Sequence, residues 1–220
     1  SVTRLIAAGL RAGGIKTLAK TTGSAPRIID KNGQDHIIHR LRSASIGEQL
    51  KLLRMFAKEK PRAVVIECMA VQPEYQWVTE QKMVNSTIGV ITNVRPDHLD
   101  EMGHDLNSIA YSMSNTIPMD AVFVTGEENI TAPLKDISNK RNTEFIQTEH
   151  TQVSKEYMNK FPFLEHSENV ALALKVCELA GVNKQTALDG MIHTTPDPGA
   201  LEIIELNLKG NQIHFINAFS

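Results

Sequence analysis

Ala63-Val64-Val65-Ile66-Glu67-Cys68-Met69 and Ile88-Gly89-Val90-Ile91-Thr92-Asn93 decide the fold. Each is a short apolar run that stops at a small polar cluster, and the second leads on to Asp97-His98-Leu99-Asp100. Continuous apolar runs of this length fit strands of a parallel sheet covered on both faces. In such a sheet, ligands sit in the crevice beyond the carboxyl ends of the strands. A carboxylate at one strand end and an imidazole beside the next can hold a metal or orient a phosphate. Glu67 and His98 are therefore the first candidate site residues.

Helical periodicity surrounds these strands. Ile46, Leu50, Leu53 and Ala57 repeat at helical spacing, and Pro61 separates that helix from the strand ending at Glu67. A second helix is expected near Glu74 to Met83, and a third over Leu106 to Ile117, closed by Pro118. Ala121 to Val124 reads as a short strand with Thr125-Gly126 at its exit. Ile130 to Asn139 reads as a helix and Glu144 to Ile146 as a strand. Strands alternating with helices are the βαβ signature.

Upstream, Val2 to Leu10 is an amphipathic helix that Ser1 can cap, ending near Gly13-Gly14. Ile15 to Ala19 is a short strand leading into Thr21-Thr22-Gly23, and Arg27 to Ser45 is a loop or short hairpin. Glu168 to Leu179 is a helix, Gly181 ends it, and Asn183 caps the next helix through Met191. Pro196-Asp197-Pro198-Gly199 is a rigid turn. Leu201 to Leu206 and Gln212 to Ile216, around Lys209-Gly210-Asn211, form an antiparallel hairpin. The fold class is α/β, three-layered, with a mostly parallel sheet and a C-terminal antiparallel hairpin. The chain opens on a helix with no strand before it and stops directly after a strand, so it reads as a segment of a longer protein.

Composition narrows the function. The chain has 220 residues, 41% hydrophobic and 22% charged, with a net charge of −2. That balance argues against nucleic acid as the main partner, because sequence-independent phosphate binding needs a basic surface. No apolar run approaches the ~20 residues of a membrane span. Cys68 and Cys177 form no CxxC pattern and read as reduced and buried.

Glu67 is a hard oxygen donor suited to Mg2+, directly or through water, or else a carboxylate that caps a helix or pairs with Arg. His98 lies between Asp97 and Asp100, where an acid can set its tautomer, or it is an exposed turn residue. Zinc is disfavoured because no close His/Cys pair accompanies it. Thr21 and Thr22 follow a strand, where hydroxyls and backbone N–H groups can hold phosphate or carboxylate oxygens. Asn169, in the first turn of its helix, can bind a nucleotide or cap the helix. Asn93 can orient the loop before His98.

Val65-Ile66-Glu67-Cys68-Met69-Ala70-Val71-Gln72-Pro73-Glu74-Tyr75 resembles a block of the capsular poly-γ-glutamate ligases, relatives of the Mur and folylpolyglutamate ligases. Gly89-Val90-Ile91-Thr92-Asn93-Val94 with Asp97-His98-Leu99-Asp100-Glu101-Met102-Gly103 resembles the next block. Thr194-Thr195-Pro196-Asp197-Pro198-Gly199-Ala200 and Lys20-Thr21-Thr22-Gly23 resemble two more. The resemblance implies the central ATPase domain of an ATP-dependent amide ligase working through an acyl phosphate. Val2-Thr3-Arg4-Leu5 matches the helix that follows the family's phosphate loop. By the resemblance, that loop and the first strand lie upstream, a C-terminal domain lies downstream, and this segment alone is inactive.

The resemblance maps catalytic magnesium to Glu67 and His98, and the adenine pocket to Asn169. It implies ATP and Mg2+ as cofactors, with glutamate and growing polyglutamate as substrates. It also implies membrane-protein partners at the inner face of a cell membrane, and it allows a homo-oligomer. Two departures stand out. Ile109 to Ile117 lacks the lysine that many Mur-type ligases carbamylate, and Gly199-Ala200-Leu201 stands where they commonly carry Gly-Arg. The rival expectation is a non-catalytic nucleotide-binding or scaffold subunit of a polymer-synthesis assembly.

Overall fold

The computed structural model describes residues 2–23, 25–40, 45–149, 153–198, 202–208 and 211–217. Ser1, the 199–201 segment and the 209–210 turn of the expected hairpin lie outside the described residues. In chain order the first half runs α1 (Val2–Ala12), β1 (Thr17–Lys20), β2 (Arg27–Ile29), β3 (Asp35–Ile37), α2 (Gly47–Glu59) and β4 (Ala63–Ile66). Then come α3 (Pro73–Val78), which runs on as a π-helical turn Thr79–Val84, and β5 (Ile88–Ile91). The second half runs α4 (Leu99–Met102), α5 (Leu106–Met113), β6 (Val122–Thr125), α6 (Ala132–Lys140) and β7 (Glu144–Gln147). It closes with α7 (Lys155–Met158), α8 (Ser167–Leu179), α9 (Lys184–Met191), β8 (Glu202–Leu208) and β9 (Asn211–Asn217).

The strands form three ladders. One has the order β3-β2-β1-β4, with β1 and β4 parallel; the second, β5-β6-β7, is wholly parallel; the third is the antiparallel hairpin β8-β9. Strand periodicity sends alternate side chains to two helical layers. On β6, Val124 packs with Leu5 and Ile6 of α1 and Val170 and Leu174 of α8. Its neighbour Phe123 packs with Ile109 of α5 and Leu134 of α6. Alternate residues of β4 and β5, namely Ala63, Val65, Ile88 and Val90, lie on the α1/α8 core. The result is the three-layer α/β arrangement expected from the sequence.

Close helix packing explains the shape of the first layer. At Gly190 of α9 an added Cβ would stand 2.5 Å from the Ala12 Cβ and 2.8 Å from the Ala8 carbonyl oxygen, so only glycine admits this approach of α1 and α9. Asn183 caps α9 as its sequence position predicts, its side-chain oxygen accepting the Gln185 and Thr186 N–H groups.

Three features depart from expectation. α2 buries Gln49, Leu52 and Phe56, whereas Leu50 of the anticipated stripe is exposed. Both sets have helical spacing, and contact with Leu18 and Ile28 selects the Leu52/Phe56 face. Cys177 is buried but Cys68 is exposed, because it lies beyond the strand end rather than within the core. Finally, β4 and β5 belong to different ladders, and β4 is only half-buried, with Val64 exposed. Two strands whose composition suits burial on both faces thus each keep one edge without a ladder partner among the described residues.

Candidate active site

The first part of the site forms at the carboxyl ends of β1 and β4. Parallel register sets Lys20 beside Ile66, and the Glu67 N–H donates to the Lys20 carbonyl at 3.0 Å, so the two exits leave together. The Thr22 backbone N–H donates to Glu67 Oε2 at 3.2 Å, and the Thr22 hydroxyl donates to Oε1 at 3.0 Å. Both carboxylate oxygens are thereby aimed. Thr21 is buried, and its N–H donates to the Arg27 carbonyl at 2.9 Å, extending the β1–β2 pairing.

Lys20, the first residue of the Lys20-Thr21-Thr22-Gly23 block, is a further component of this part. Its side chain is fully buried, with Nζ 3.5 Å from the Glu67 carbonyl oxygen and 3.9 Å from Glu48 Oε1. Glu48 in turn accepts two hydrogen bonds from Arg40, at 2.7 and 2.9 Å. Burial pushes the Lys20 ammonium below its ordinary pKa, while Glu48 and Glu67 pull it back up. The sequence signal was a lysine ending a strand directly before two threonines.

The second part is a cleft at the carboxyl ends of β5 and β6, walled on one side by the first turn of α8. Thr92, Asn93, Val94 and Arg95 line it from β5, Gly126 to Asn129 from β6, and Glu168, Asn169 and Leu172 from α8. Asn93 and Asn169, 76 positions apart in sequence, therefore share one cavity. Asn169 Nδ2 donates to Glu165 Oε1 at 2.8 Å, which sets the amide plane. Gly126 is obligatory here: an added Cβ would meet the Thr92 carbonyl oxygen at 2.9 Å and Leu172 Cδ1 at 3.3 Å.

His98 is not among the residues that line the cleft. It occupies the left-handed region, φ 46°, at the start of α4, and is exposed, with Nε2 3.7 Å from Asp97 Oδ1. No hydrogen bond or ion pair joins it to Glu67 among the described residues, and no group of three His, Cys, Asp or Glu side chains is assembled there for a metal. The donor chemistry still fits magnesium at Glu67, a partly buried carboxylate with both oxygens at a strand exit. The cleft fits a planar polar ligand, since an amide and an apolar side chain, Asn169 and Leu172, face it together.

In a parallel α/β sheet the crevice beyond the strand ends is where ligands sit, and the cleft lies there. The Mur ligase middle domain matches residues 1–211, and the chain belongs to the Mur ligase family. It is 36% identical over 222 aligned positions to the capsule biosynthesis protein CapB of Bacillus anthracis, covering 100% of this chain and 48% of that protein. It is likewise 36% identical to the PGA synthase CapB of Bacillus subtilis (strain 168), covering 100% of this chain and 56% of that protein. The chain thus spans about half the length of these relatives.

Solved structures share the fold at low identity. E. coli FolC in complex with ADP, without folate substrate, superposes with a TM-score of 0.67 at 14% identity, over 97% of this chain and 58% of that one. The apo form of L. casei FPGS gives 0.65 at 14% identity, over 94% and 62%.

Proposed function

We propose that the intact protein is an ATP-dependent amide ligase that extends poly-γ-glutamate. The observation that carries this reading is the cleft beyond β5 and β6, lined by both Asn93 and Asn169, together with the Thr22-aimed carboxylate of Glu67 at the β4 exit. The polymer is carried over from the resemblance of the Val65–Tyr75 and Gly89–Gly103 blocks to the capsular poly-γ-glutamate ligases, and the similarity to the PGA synthase CapB of Bacillus subtilis supports it.

The chemistry follows from the weakness of a carboxylate as an acyl donor. Its oxygen attacks the γ-phosphorus of ATP, the bridging P–O bond breaks, and ADP leaves. The amino group of glutamate then attacks the acyl carbon, phosphate departs with the C–O bond electrons, and the nitrogen loses a proton to leave an amide. Magnesium neutralises charge on the phosphate oxygens when bound. In this reading Glu67 and His98 hold it, Thr21 and Thr22 border the activated carboxylate, and Asn93 and Asn169 orient the base. His98 must be neutral to ligate, so acid weakens that contact.

A strand and phosphate loop upstream of α1 would lie between the unpaired edges of β4 and β5 and join the two ladders. A downstream domain would complete the active site. Membrane-protein partners and self-association belong to the intact protein in this reading; among the described residues no helix is long and apolar enough to cross a membrane.

The test is ADP release by the intact protein with ATP, magnesium and glutamate. Glu67→Ala and His98→Ala should each abolish most of it while the protein stays folded. Unchanged release in both variants would remove the magnesium assignment. No glutamate-dependent release in the wild type would favour a nucleotide-binding scaffold instead.

A further inference from the structure

Glu127 draws together more of the cleft than any residue singled out by the sequence. Its side chain is buried, with the residue only 4% exposed. Oε2 accepts the Val94 N–H at 2.7 Å, and Oε1 accepts those of Asn129 and Ile130 at 2.8 and 2.9 Å. Val94 belongs to the β5 exit and immediately follows Asn93; Asn129 belongs to the β6 exit and lines the cleft itself. The backbone of Glu127 is pinned as well. Its N–H donates to the Thr125 hydroxyl at 3.1 Å, and its carbonyl accepts Gln147 Nε2 from the end of β7 at 3.0 Å.

A charged carboxylate receiving three backbone N–H groups is held strongly, because bonds to an ionised acceptor exceed neutral ones. Burial works to raise the Glu127 carboxyl, but the N–H groups of Ile130, Val94 and Asn129 override it and hold the carboxyl below its ordinary range. Both oxygens are occupied by the protein's own backbone. The group therefore acts on a ligand through the two loops it joins.

We infer that Glu127 is a positioning residue for the base of the nucleotide, a carboxylate strap that fixes the distance between the Asn93 and Asn129 walls of the cleft. This rests on the nucleotide reading above. A strap of this kind affects recognition of the base and leaves the phosphates to other groups.

The experiment measures displacement of a fluorescent ADP analogue from the intact protein by ATP, by GTP and by inorganic tripolyphosphate. Glu127→Gln offers an N–H2 where a backbone N–H needs an acceptor. It should weaken ATP at least about tenfold, as expected for the loss of a hydrogen bond to a charged group, and narrow the ATP-to-GTP ratio. Tripolyphosphate displacement should stay within about twofold of wild type. Glu127→Asp keeps the charge but is one methylene short, so it provides a second folded variant and should fall between the two.

ATP affinity and selectivity at wild-type levels in a folded variant would overturn the strap. So would equal losses for ATP and tripolyphosphate, the mark of a merely structural role. A wild type in which ATP displaces the analogue no better than tripolyphosphate would instead overturn the base-binding reading of the cleft.

Discussion

Thr22 grips both oxygens of Glu67, its backbone N–H on Oε2 and its hydroxyl on Oε1, across the parallel exits of β1 and β4. A carboxylate held in this way has a fixed orientation before any cation arrives, as preorganised ligand sets require. Thr22→Val keeps the backbone bond and removes the hydroxyl. It should raise the magnesium concentration for half-maximal ADP release in the intact protein by about tenfold, one charge-assisted bond's worth. Thr22→Ser should restore it, and an unchanged magnesium requirement in Thr22→Val would refute the preorganisation.

Arg4 anchors the start of α1 to two distant segments. Its Nη1 and Nη2 donate to Asp35 at 2.8 and 2.6 Å, and its Nε donates to Asp197 at 2.7 Å, with the guanidinium almost wholly buried. Arg4→Met strips Asp35 of its cation and should cost about 3 kcal/mol in urea unfolding, the low end for a broken buried pair because both carboxylates reach solvent. Asp35→Asn should cost less, since one neutral acceptor remains.

Acid and base should act oppositely on two buried glutamates. Burial lifts the Glu80 carboxyl above its usual range despite two hydrogen bonds from Ser86, so the folded state holds that proton to higher pH than the unfolded chain. Its contribution is favourable below the unfolded value near pH ~4.3 and is lost as pH rises through the folded one. Glu80→Gln should therefore stabilise the protein at about pH 7 and make no difference near pH 4. Glu127, held low, has the reverse sign: its stabilisation is present above the unfolded value and lost as acid protonates the folded carboxyl. Chemical unfolding across this range separates the two.

Gly126→Ala tests the narrowness of the cleft. The added methyl would lie 2.9 Å from a backbone oxygen, Thr92 O, which cannot move aside as a flexible side chain can. Forcing the β5 and β6 exits apart should lower ATP affinity in the analogue displacement assay by about tenfold or more, with a thermal midpoint a few degrees lower. Wild-type affinity would mean that the exits tolerate separation.

Local chemistry made much of the fold readable. Ala63–Ile66 and Ile88–Ile91 are strands because their apolar runs are short and bounded, and Asn183 caps α9 because its amide competes for free N–H groups. The α2 face was not readable, since two stripes shared one period and only Leu18 and Ile28 chose between them. Glu67 and Asn169 were found as polar residues at element ends. Glu127 was not, because a buried charge is recognised by its partners, and those lie up to 33 positions away.

The sequence by itself determined the alternation of strands and helices, the α/β class and the polar strand exits, all consequences of periodicity and of residues within a few positions of one another. Tertiary structure alone decided which exits meet: Thr22 with Glu67 across β1 and β4, and Asn93 with Asn169 in the cleft at β5, β6 and α8. Such meetings depend on register, strand order and long-range packing, and no local pattern encodes the distance between two loops.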